Sequence, residues 1–283
     1  MDNANLSAKY AFFGTPSVAR DTLRALIEAG WKPELVVTSP DAPRGRGLVM
    51  TPSETKALAE EYDLQVVAPA RLDEEAIASI KEYDCDFAIV VAYGKILPEA
   101  LIRAFPKGVF NIHYSLLPKY RGASPVETAL LNGETETGVT IQRMVYKLDA
   151  GDIVAIVKEK ISPDDTTSTL RPRLIEAGAN LLLAVLPEIS SGEVQATPQE
   201  HDEATFAPKF KKEDGLLKLD GKAEENWRKY RAFSEWPGTY FFENDKRMKI
   251  KKARFEKGQF IVERVVPEGG KEVEYHEGGA FSV

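Results

Sequence analysis

The stretch KYAFFGTPSVARDTLRALIEAG, Lys9 to Gly30, sets the pattern on which the fold depends. A β-rich run at Lys9–Phe13 leads into apolar residues at helical spacing, and Gly30 is suited to end that helix. The alternation repeats through ELVVT, LQVVAPA, DFAIVVAY and GVFNIH, with helical stretches between them. Because strands separated by helices are joined by crossovers, they form a parallel sheet covered on both faces. We predict an α/β fold with a Rossmann-like, mostly parallel sheet.

The second half of the chain changes character. Two strand-like runs, Gly138–Val145 and Asp152–Ile161, are separated by a gap that suits a hairpin or tight connection better than a crossover helix. A helix is predicted over Leu170–Ile189, and the polar segment after it loses its periodicity. Short strands joined by Asn, Asp and Gly turns follow. The predicted organisation is a first domain over 1–192, a linker over 193–208 and a small β-rich domain over 209–283.

Composition excludes several classes of protein. A net charge of −7 over 283 residues argues against non-specific nucleic-acid binding by the whole surface. No apolar run approaches the length of a membrane span, and the N-terminal residues lack the features of a signal peptide. We therefore predict a cytoplasmic protein that does not contact a membrane. The single cysteine, Cys85, lies in an apolar strand and is predicted to pack in the core.

Nucleotide and metal signatures are missing from the sequence. Gly14 stands alone after the first strand, so the G-x-G-x-x-G fingerprint of dinucleotide-binding proteins is absent, as is the Walker sequence. The stretch FFGTP forms either a tight strand-to-helix turn or a loop that faces a substrate, and the sequence favours neither. The three histidines, His113, His201 and His276, have no metal-ligand spacing, and no metal is predicted.

A candidate active site begins where the run GVFNIH ends. His113 falls at the carboxyl end of a predicted strand, where open α/β sheets bind ligands, and strand alternation turns Asn111 to the same side. A lone strand histidine is more often structural, but two neighbours favour function. Ser115–Pro118 offers backbone groups and an apolar lip, and Leu148–Asp152 offers carboxylates. An amide donor, an imidazole and a carboxylate in one cleft suit acyl transfer without an activated Ser or Cys.

The motifs N-I-H followed by S-L-L-P, then R-G-A-S-P, E-T-G-V-T-I and L-D-A-G-D, resemble those of the folate-dependent formyltransferase family. The resemblance runs from FFGTP through the linker and continues more weakly through WPGTY to the end. It implies a formyltransferase fold in which Asn111, His113 and Asp149 are catalytic. It also implies that four residues line the folate site: Ser115, Leu116, Leu117 and Pro118.

Within the family, the chain is most similar to the enzymes that formylate methionyl-tRNA. The implied reaction transfers the formyl group of 10-formyltetrahydrofolate to the α-amino group of methionine on initiator methionyl-tRNA. The implied protein is a monomer that needs no metal. A transferase that acts on an amino sugar or another small amine is the alternative, favoured by Leu48, Val49 and Tyr114. Tyr114 takes the place of a small residue and is expected to crowd the acceptor pocket.

Two basic features are candidate tRNA contacts. The loop Ser39–Ser53 is either an ordinary exposed loop or, by resemblance, the insertion loop that approaches the acceptor stem through Arg44 and Arg46. Leu48 and Val49 stand where the family has lysines, so weaker phosphate contact is expected. The second feature is the basic run Lys246–Lys257. It is either a solvated strand face or, by resemblance, the tRNA-binding face of a small, apparently shortened β-barrel related to oligonucleotide-binding folds. Its candidates are Lys246, Arg247, Lys249, Lys251 and Lys252.

Overall fold

The computed structural model of the protein describes residues 8–45 and 47–276. Its strands are β1 (Tyr10–Gly14), β2 (Leu35–Val37), β3 (Ala42–Arg44), β4 (Val49–Thr51), β5 (Val66–Val67), β6 (Phe87–Val91), β7 (Gly108–His113), β8 (Arg121–Gly122), β9 (Glu136–Arg143), β10 (Ile153–Lys160), β11 (Phe206–Ala207), β12 (Tyr240–Glu243), β13 (Lys246–Glu256), β14 (Gln259–Pro267) and β15 (Val273–Glu274). Its helices are α1 (Ser17–Glu28), α2 (Glu54–Glu61), α3 (Glu74–Lys81), α4 (Glu99–Ile102), α5 (Pro125–Asn132), α6 (Thr167–Ser191) and α7 (Ala223–Ala232).

A seven-stranded sheet in the order β10-β9-β7-β6-β1-β2-β5 forms the centre of the first part of the chain. The pairs β1–β2, β1–β6, β2–β5 and β6–β7 are parallel, and β9 joins β7 in antiparallel register. The prediction of a mostly parallel α/β sheet is confirmed. Because β1, β6 and β7 run in parallel, their carboxyl ends meet at one edge of the sheet. His113 is the last residue of β7 at that edge.

The first strand and helix pack closely enough to require glycine between them. A Cβ placed on Gly14 would lie 2.4 Å from the Cβ of Ala19 in α1. Phe13 is fully buried, and its ring meets those of Tyr93 and Phe105 edge-on at 5.5 and 6.1 Å. Close packing against Ala19 is therefore enough to explain why FFGTP has glycine at position 14, as the tight-turn interpretation requires.

The C-terminal strands form a separate antiparallel sheet in the order β12-β13-β14-β15. Buried and exposed side chains alternate along β13. Met248, Ile250 and Ala253 are buried, and the basic residues between them are exposed. An irregularity in the pairing between Ile250 and Ala253 interrupts this alternation and leaves two consecutive lysines exposed. This sheet is consistent with the small barrel-like domain that was predicted.

The chain folds into two compact units, each made of separate stretches. One contains the described residues up to Arg121 together with Gly138–Lys158 and Leu174–Thr205. The other contains Gly122–Thr137, Glu159–Arg173 and the described residues from Phe206 onward. The linear division into 1–192, 193–208 and 209–283 stays a prediction.

Helix α6 corrects one expectation about apolar segments. Within the described residues, its length and composition would suffice to cross a membrane, although no such run was expected. The core helix of a protein can have the same length and composition, and α6 fully buries Leu174, Leu182 and Leu186 at helical spacing. Its first turns also carry Arg171 and Arg173, each of which forms ion pairs. This pattern is typical of a helix with one face in a protein core.

A buried carboxylate, Asp165, holds the segment before α6. It accepts two hydrogen bonds from Arg173, at 2.8 and 2.9 Å, one from the Thr169 hydroxyl at 2.9 Å and one from the Ser162 backbone N–H at 2.7 Å. The guanidinium of Arg173 makes the largest contribution, and together these bonds lower the pKa of Asp165 from 3.8 to about 2.

We predict that Asp165→Asn lowers the free energy of unfolding at pH 7 by about 2 kcal/mol, the equivalent of a shift of nearly two pKa units. A depressed pKa stabilises the fold above pH 4, and this contribution is lost as the pH falls from about 4 to about 2. Urea unfolding at pH 7 and at pH 2.5 should therefore show a smaller acid-induced loss in the variant than in the parent. The matched control is Asp164→Asn at the exposed neighbour. Equal acid sensitivity of the two variants would contradict the prediction.

Candidate active site

His113 is held in a defined orientation at the end of β7. It is 5% exposed, and its Nε2 lies 2.8 Å from the backbone oxygen of Tyr120. Because a carbonyl oxygen can only accept, Nε2 carries a proton, and Nδ1 is directed to the other side of the ring. Nδ1 lies 3.7 Å from Oδ2 of Asp149. The imidazole therefore has one nitrogen fixed to the backbone and the other facing a carboxylate.

Asp149 reaches His113 from the loop between β9 and β10. Its φ of 44° places it in the left-handed region, which costs a non-glycine residue of order 1–3 kcal/mol and persists only where the surroundings hold it. Its Oδ1 accepts a hydrogen bond of 2.9 Å from Nε2 of Gln142. Oε1 of Gln142 accepts from the backbone N–H of Gly151 at 3.2 Å. One side chain thus fixes both the carboxylate and the backbone of this loop.

Gln142 was not among the predicted site residues. It is 1% exposed and lies directly opposite Asn111 in the β7–β9 pair, so both side chains are on the same face. An amide side chain within the predicted strand Gly138–Val145 was the available signal, since a buried amide needs partners. Asn111 itself is 9% exposed, and its position two residues before His113 gives it the same face. The structure thus brings Asp149 next to His113 and puts Asn111 on their side of the sheet.

The predicted folate-lining turn is organised by Thr140. This residue lies opposite His113, and its hydroxyl donates to the backbone oxygen of Ser115 at 2.7 Å and accepts from the backbone N–H of Leu117 at 3.2 Å. The hydroxyl of Ser115 donates to the Lys119 carbonyl at 2.6 Å. Ser115 and Leu117 are buried, whereas Leu116 and Pro118 are half-buried. The turn therefore leaves Leu116 and Pro118 partly accessible, while the Ser115 hydroxyl is used internally.

Exposed apolar side chains lie next to Asp149 in sequence. Val145, Tyr146 and Leu148 are 47%, 63% and 60% exposed in the loop that carries the carboxylate. Apolar and aromatic side chains beside a few convergent polar groups are typical of small-molecule sites. This surface was not predicted from the sequence.

Other reactive groups give no competing centre. In the chain outside residues 1–7, 46 and 277–283, no cluster of three or more His, Cys, Asp or Glu is placed to hold a metal ion. Burial raises the pKa of the Cys85 thiol to about 12, so it is not an available nucleophile. The interpretation of Cys85 as a packing residue is confirmed.

Comparison with known proteins identifies the family. The family model for formyl transferases matches residues 8–186, and the model for the formyl transferase C-terminal domain matches residues 209–279. The chain belongs to the formyl transferase family. A methionyl-tRNA formyltransferase of Thermus thermophilus is 43% identical over 265 residues, which cover 92% of this chain and 86% of the relative. The corresponding protein of Sulfurihydrogenibium sp. is 39% identical over 248 residues, covering 87% and 80%.

Solved structures share the fold of this formyl transferase at lower sequence identity. An N-formyltransferase from Helicobacter canadensis superposes with a TM-score of 0.65 at 18% identity, covering 94% of this chain and 97% of that one. A sugar N-formyltransferase from Shewanella sp. gives a TM-score of 0.68 at 18% identity, covering 87% and 97%. At this identity the likeness establishes the formyltransferase fold.

The structure does not support the expectation that Tyr114 crowds the acceptor pocket of this formyl transferase. A Cβ placed on Gly178 of α6 would lie 3.3 Å from Ile112 and 3.6 Å from the ring of Tyr114. The ring therefore packs with Ile112 against α6, on the opposite face of β7 from Asn111 and His113. Tyr114 is 8% exposed. Alternation along the strand, continued by one residue, explains the placement.

The candidate insertion loop contains the hairpin β3–β4, in which Ala42 pairs with Thr51 and Arg44 with Val49. The side chain of Arg44 is 47% exposed and lies 3.8 Å from Glu54. Arg46 lies outside the described residues. Leu48 and Val49 are 71% and 66% exposed, so the surface of this loop is partly apolar.

The basic residues of β13 differ in their surroundings. All five candidates are exposed, namely Lys246, Arg247, Lys249, Lys251 and Lys252. The ammonium of Lys252 pairs with Glu263 at 3.0 Å, which neutralises part of its charge. Arg247 lies over the ring of Tyr240 at 5.6 Å, and that ring meets Phe242 edge-on at 5.8 Å. This face of the formyl transferase therefore combines cations with aromatic rings, and only the cations were predicted.

From the packing of Tyr114 we predict that Tyr114→Phe changes kcat and the KM for the amine acceptor by less than about twofold. The reason is that the ring, which the substitution keeps, faces α6 and not the catalytic side of β7. Steady-state kinetics of formyl transfer measure this. A change of tenfold or more in the acceptor KM would contradict the placement and restore the role in acceptor choice.

Proposed function

We propose that this formyl transferase moves the formyl group of 10-formyltetrahydrofolate to the α-amino group of methionine on initiator methionyl-tRNA. The observation that carries the proposal is the His113–Asp149 pair, with Nδ1 3.7 Å from Oδ2, on the same side of the sheet as Asn111. The substrate follows from relatives about 40% identical over most of both chains, which are methionyl-tRNA formyltransferases.

The side chains have complementary parts in this reaction. The amine attacks the formyl carbon, a C–N bond forms, and negative charge develops on the formyl oxygen. The amide of Asn111 donates to that oxygen, and the charge of a protonated His113 stabilises it further. The bond between the formyl carbon and the folate nitrogen then breaks. Asp149 stabilises the imidazolium and helps move the proton from the attacking amine to the departing folate nitrogen. The products are formylmethionyl-tRNA and tetrahydrofolate, and no metal enters any step.

The donor is proposed to bind between the turn Ser115–Pro118 and the loop of Asp149. Leu116 and Pro118 would supply apolar contacts, and Leu117 and Ser115 would keep the turn in shape through their bonds to Thr140 and Lys119. The exposed ring of Tyr146 and the exposed side chain of Leu148 would suit a flat, partly apolar ligand that covers them. Binding of this kind would also exclude water from the neighbouring catalytic pair.

Transfer to an amino sugar or another small amine is the second candidate. The observation that favours it is the apolar surface of Leu48 and Val49 in a loop that would otherwise contact phosphates. The tRNA role of the basic residues belongs to the first proposal, as do a cytoplasmic location, a monomeric state and the absence of membrane contact.

The acceptor is tested by incubating the protein with labelled 10-formyltetrahydrofolate and either charged initiator tRNA or amino-sugar nucleotides. We expect label on methionyl-tRNA and none on the sugars. His113→Ala should reduce kcat by about 10²- to 10⁴-fold, because a positioned acid-base group is lost, and leave folate affinity within about tenfold. His276→Ala, at an exposed histidine of the C-terminal unit, is the matched control. Label on a small amine alone would establish the second candidate.

The tRNA contacts are tested by the salt dependence of the tRNA KM. We expect this KM to rise with salt, and Arg44→Ala, Arg46→Ala and Lys249→Ala each to lower the log–log slope by about one, because each phosphate contact releases counterions. Lys252→Ala should have a smaller effect, since Lys252 pairs with Glu263. Arg103→Ala, at a residue 77% exposed and paired with Glu99, is the control. A flat salt response of the parent would exclude both surfaces.

A further inference from the structure

Gln199 is a buried amide in the segment predicted as a linker, and its side chain bonds to the loop of Asp149. It is 5% exposed. Its Nε2 donates to the backbone oxygen of Asp149 at 2.9 Å and to that of Gly151 at 2.6 Å. Both amide hydrogens are therefore used to hold the backbone on either side of Ala150.

Arg121 fixes the orientation of this amide. Its guanidinium donates to Oε1 of Gln199 from Nη2 at 2.7 Å and from Nε at 3.2 Å. Because a guanidinium only donates, the amide cannot flip without placing its NH₂ group against Arg121 and its oxygen against two carbonyls. Nη2 also lies 2.9 Å from Nδ1 of His201, which must accept for the same reason. Arg121 is 2% exposed, so these neutral acceptors satisfy a buried cation.

Arg121 also links Gln199 to the backbone that holds His113. Tyr120, the residue before Arg121, supplies the carbonyl that receives Nε2 of His113. Tyr120 has a φ of 60°, so it shares the left-handed backbone conformation of Asp149. The backbone N–H groups of Tyr120 and Arg121 donate to the hydroxyl and the carbonyl of Thr205, at 2.9 and 2.8 Å. Segment 197–205 thus bonds to Asp149 and to the backbone that holds His113.

We propose that Gln199, oriented by Arg121, is a positioning residue that sets the approach of Asp149 to His113. The proposal rests on the proposed function for its consequence in turnover, while the hold on the loop is a property of the protein alone. Residues in the left-handed region persist when several contacts over-determine them. Gln142 holds the carboxylate of Asp149, and Gln199 holds its backbone. Loss of the second hold would let the backbone relax and carry the carboxylate away from Nδ1.

Two substitutions separate the hydrogen bonds that Gln199 donates to the Asp149 loop from those that it accepts from Arg121. Gln199→Glu keeps oxygens for Arg121 but puts an acceptor against two carbonyls. Gln199→Leu removes both contacts and leaves Arg121 with fewer partners, so Gln199→Glu is the primary variant if the leucine variant does not fold. Gln195→Glu and Gln195→Leu are the matched controls, because Gln195 is exposed in the same segment and donates to the Glu193 carbonyl at 3.1 Å.

In steady-state formyl transfer we expect Gln199→Glu to lower kcat about 10- to 100-fold and to leave the KM values for donor and acceptor within about twofold, since it displaces a catalytic group and not a substrate contact. In an Asp149→Asn background the same substitution should add less than about threefold, because it acts through Asp149. A kcat within threefold of the parent, or effects of the two substitutions that multiply, would overturn the proposal.

The hold on the loop is also measured without substrate, by amide hydrogen exchange over 147–153. We expect the Gly151 amide, which donates to Gln142, to exchange at least about tenfold faster in Gln199→Glu and at the parent rate in Gln195→Glu. Unchanged exchange in Gln199→Glu would overturn the proposal whatever the acceptor is. A parent protein that leaves methionyl-tRNA unformylated would overturn the proposed function and would not alter this exchange result.

Discussion

The antiparallel pairing of β7 with β9 is the constraint on which the candidate site depends. It places Gln142 opposite Asn111 and Thr140 opposite His113, so four polar side chains lie on one face of two neighbouring strands. Gln142 then holds the carboxylate of Asp149, and Thr140 holds the turn that begins at Ser115. Both the predicted catalytic loop and the predicted folate turn are therefore fixed to the same strand. A shift of β9 by one residue would turn Thr140 and Gln142 to the face opposite Asn111 and His113.

Burial makes this polar arrangement sensitive to its partners. His113 and Asp149 have side chains 6% and 11% exposed, so little water screens their interaction. An unsatisfied donor or acceptor at this depth costs about 1–3 kcal/mol, and the pair has neutral partners in the amides of Gln142 and Gln199 and the carbonyl of Tyr120. Arg121 is the exception, a buried cation whose hydrogen bonds go to neutral acceptors. Neutral partners leave the carboxylate of Asp149 available for His113 instead of a competing ion pair.

The surface proposed to bind tRNA is of a different physical kind. Its cations are exposed, so their individual contributions are small and depend on salt. An overall charge of −7 makes the local basic run of β13 informative, because it cannot follow from an excess of lysine and arginine in the whole chain. Pairing of Lys252 with Glu263 shows that the number of basic residues in a strand overstates the charge available to a phosphate. The rings of Tyr240 and Phe242 add an apolar component beside Arg247.

The sequence by itself determined the α/β alternation, the strand end that carries His113, the shared face of Asn111 and the motif that supplies Asp149. These follow from short-range rules of period and side-chain direction, and motif spacing added the family. Only the tertiary structure decided that Gln142 and Gln199 hold the loop of Asp149, that Tyr114 packs on the helix side, and that Gly14 is required by Ala19. Gln199 bonds to a residue 50 positions away, and such a contact has no local signal in the sequence. Its polar, aperiodic surroundings are those of a linker, and its role exists because folding buries it against two carbonyls that must be satisfied.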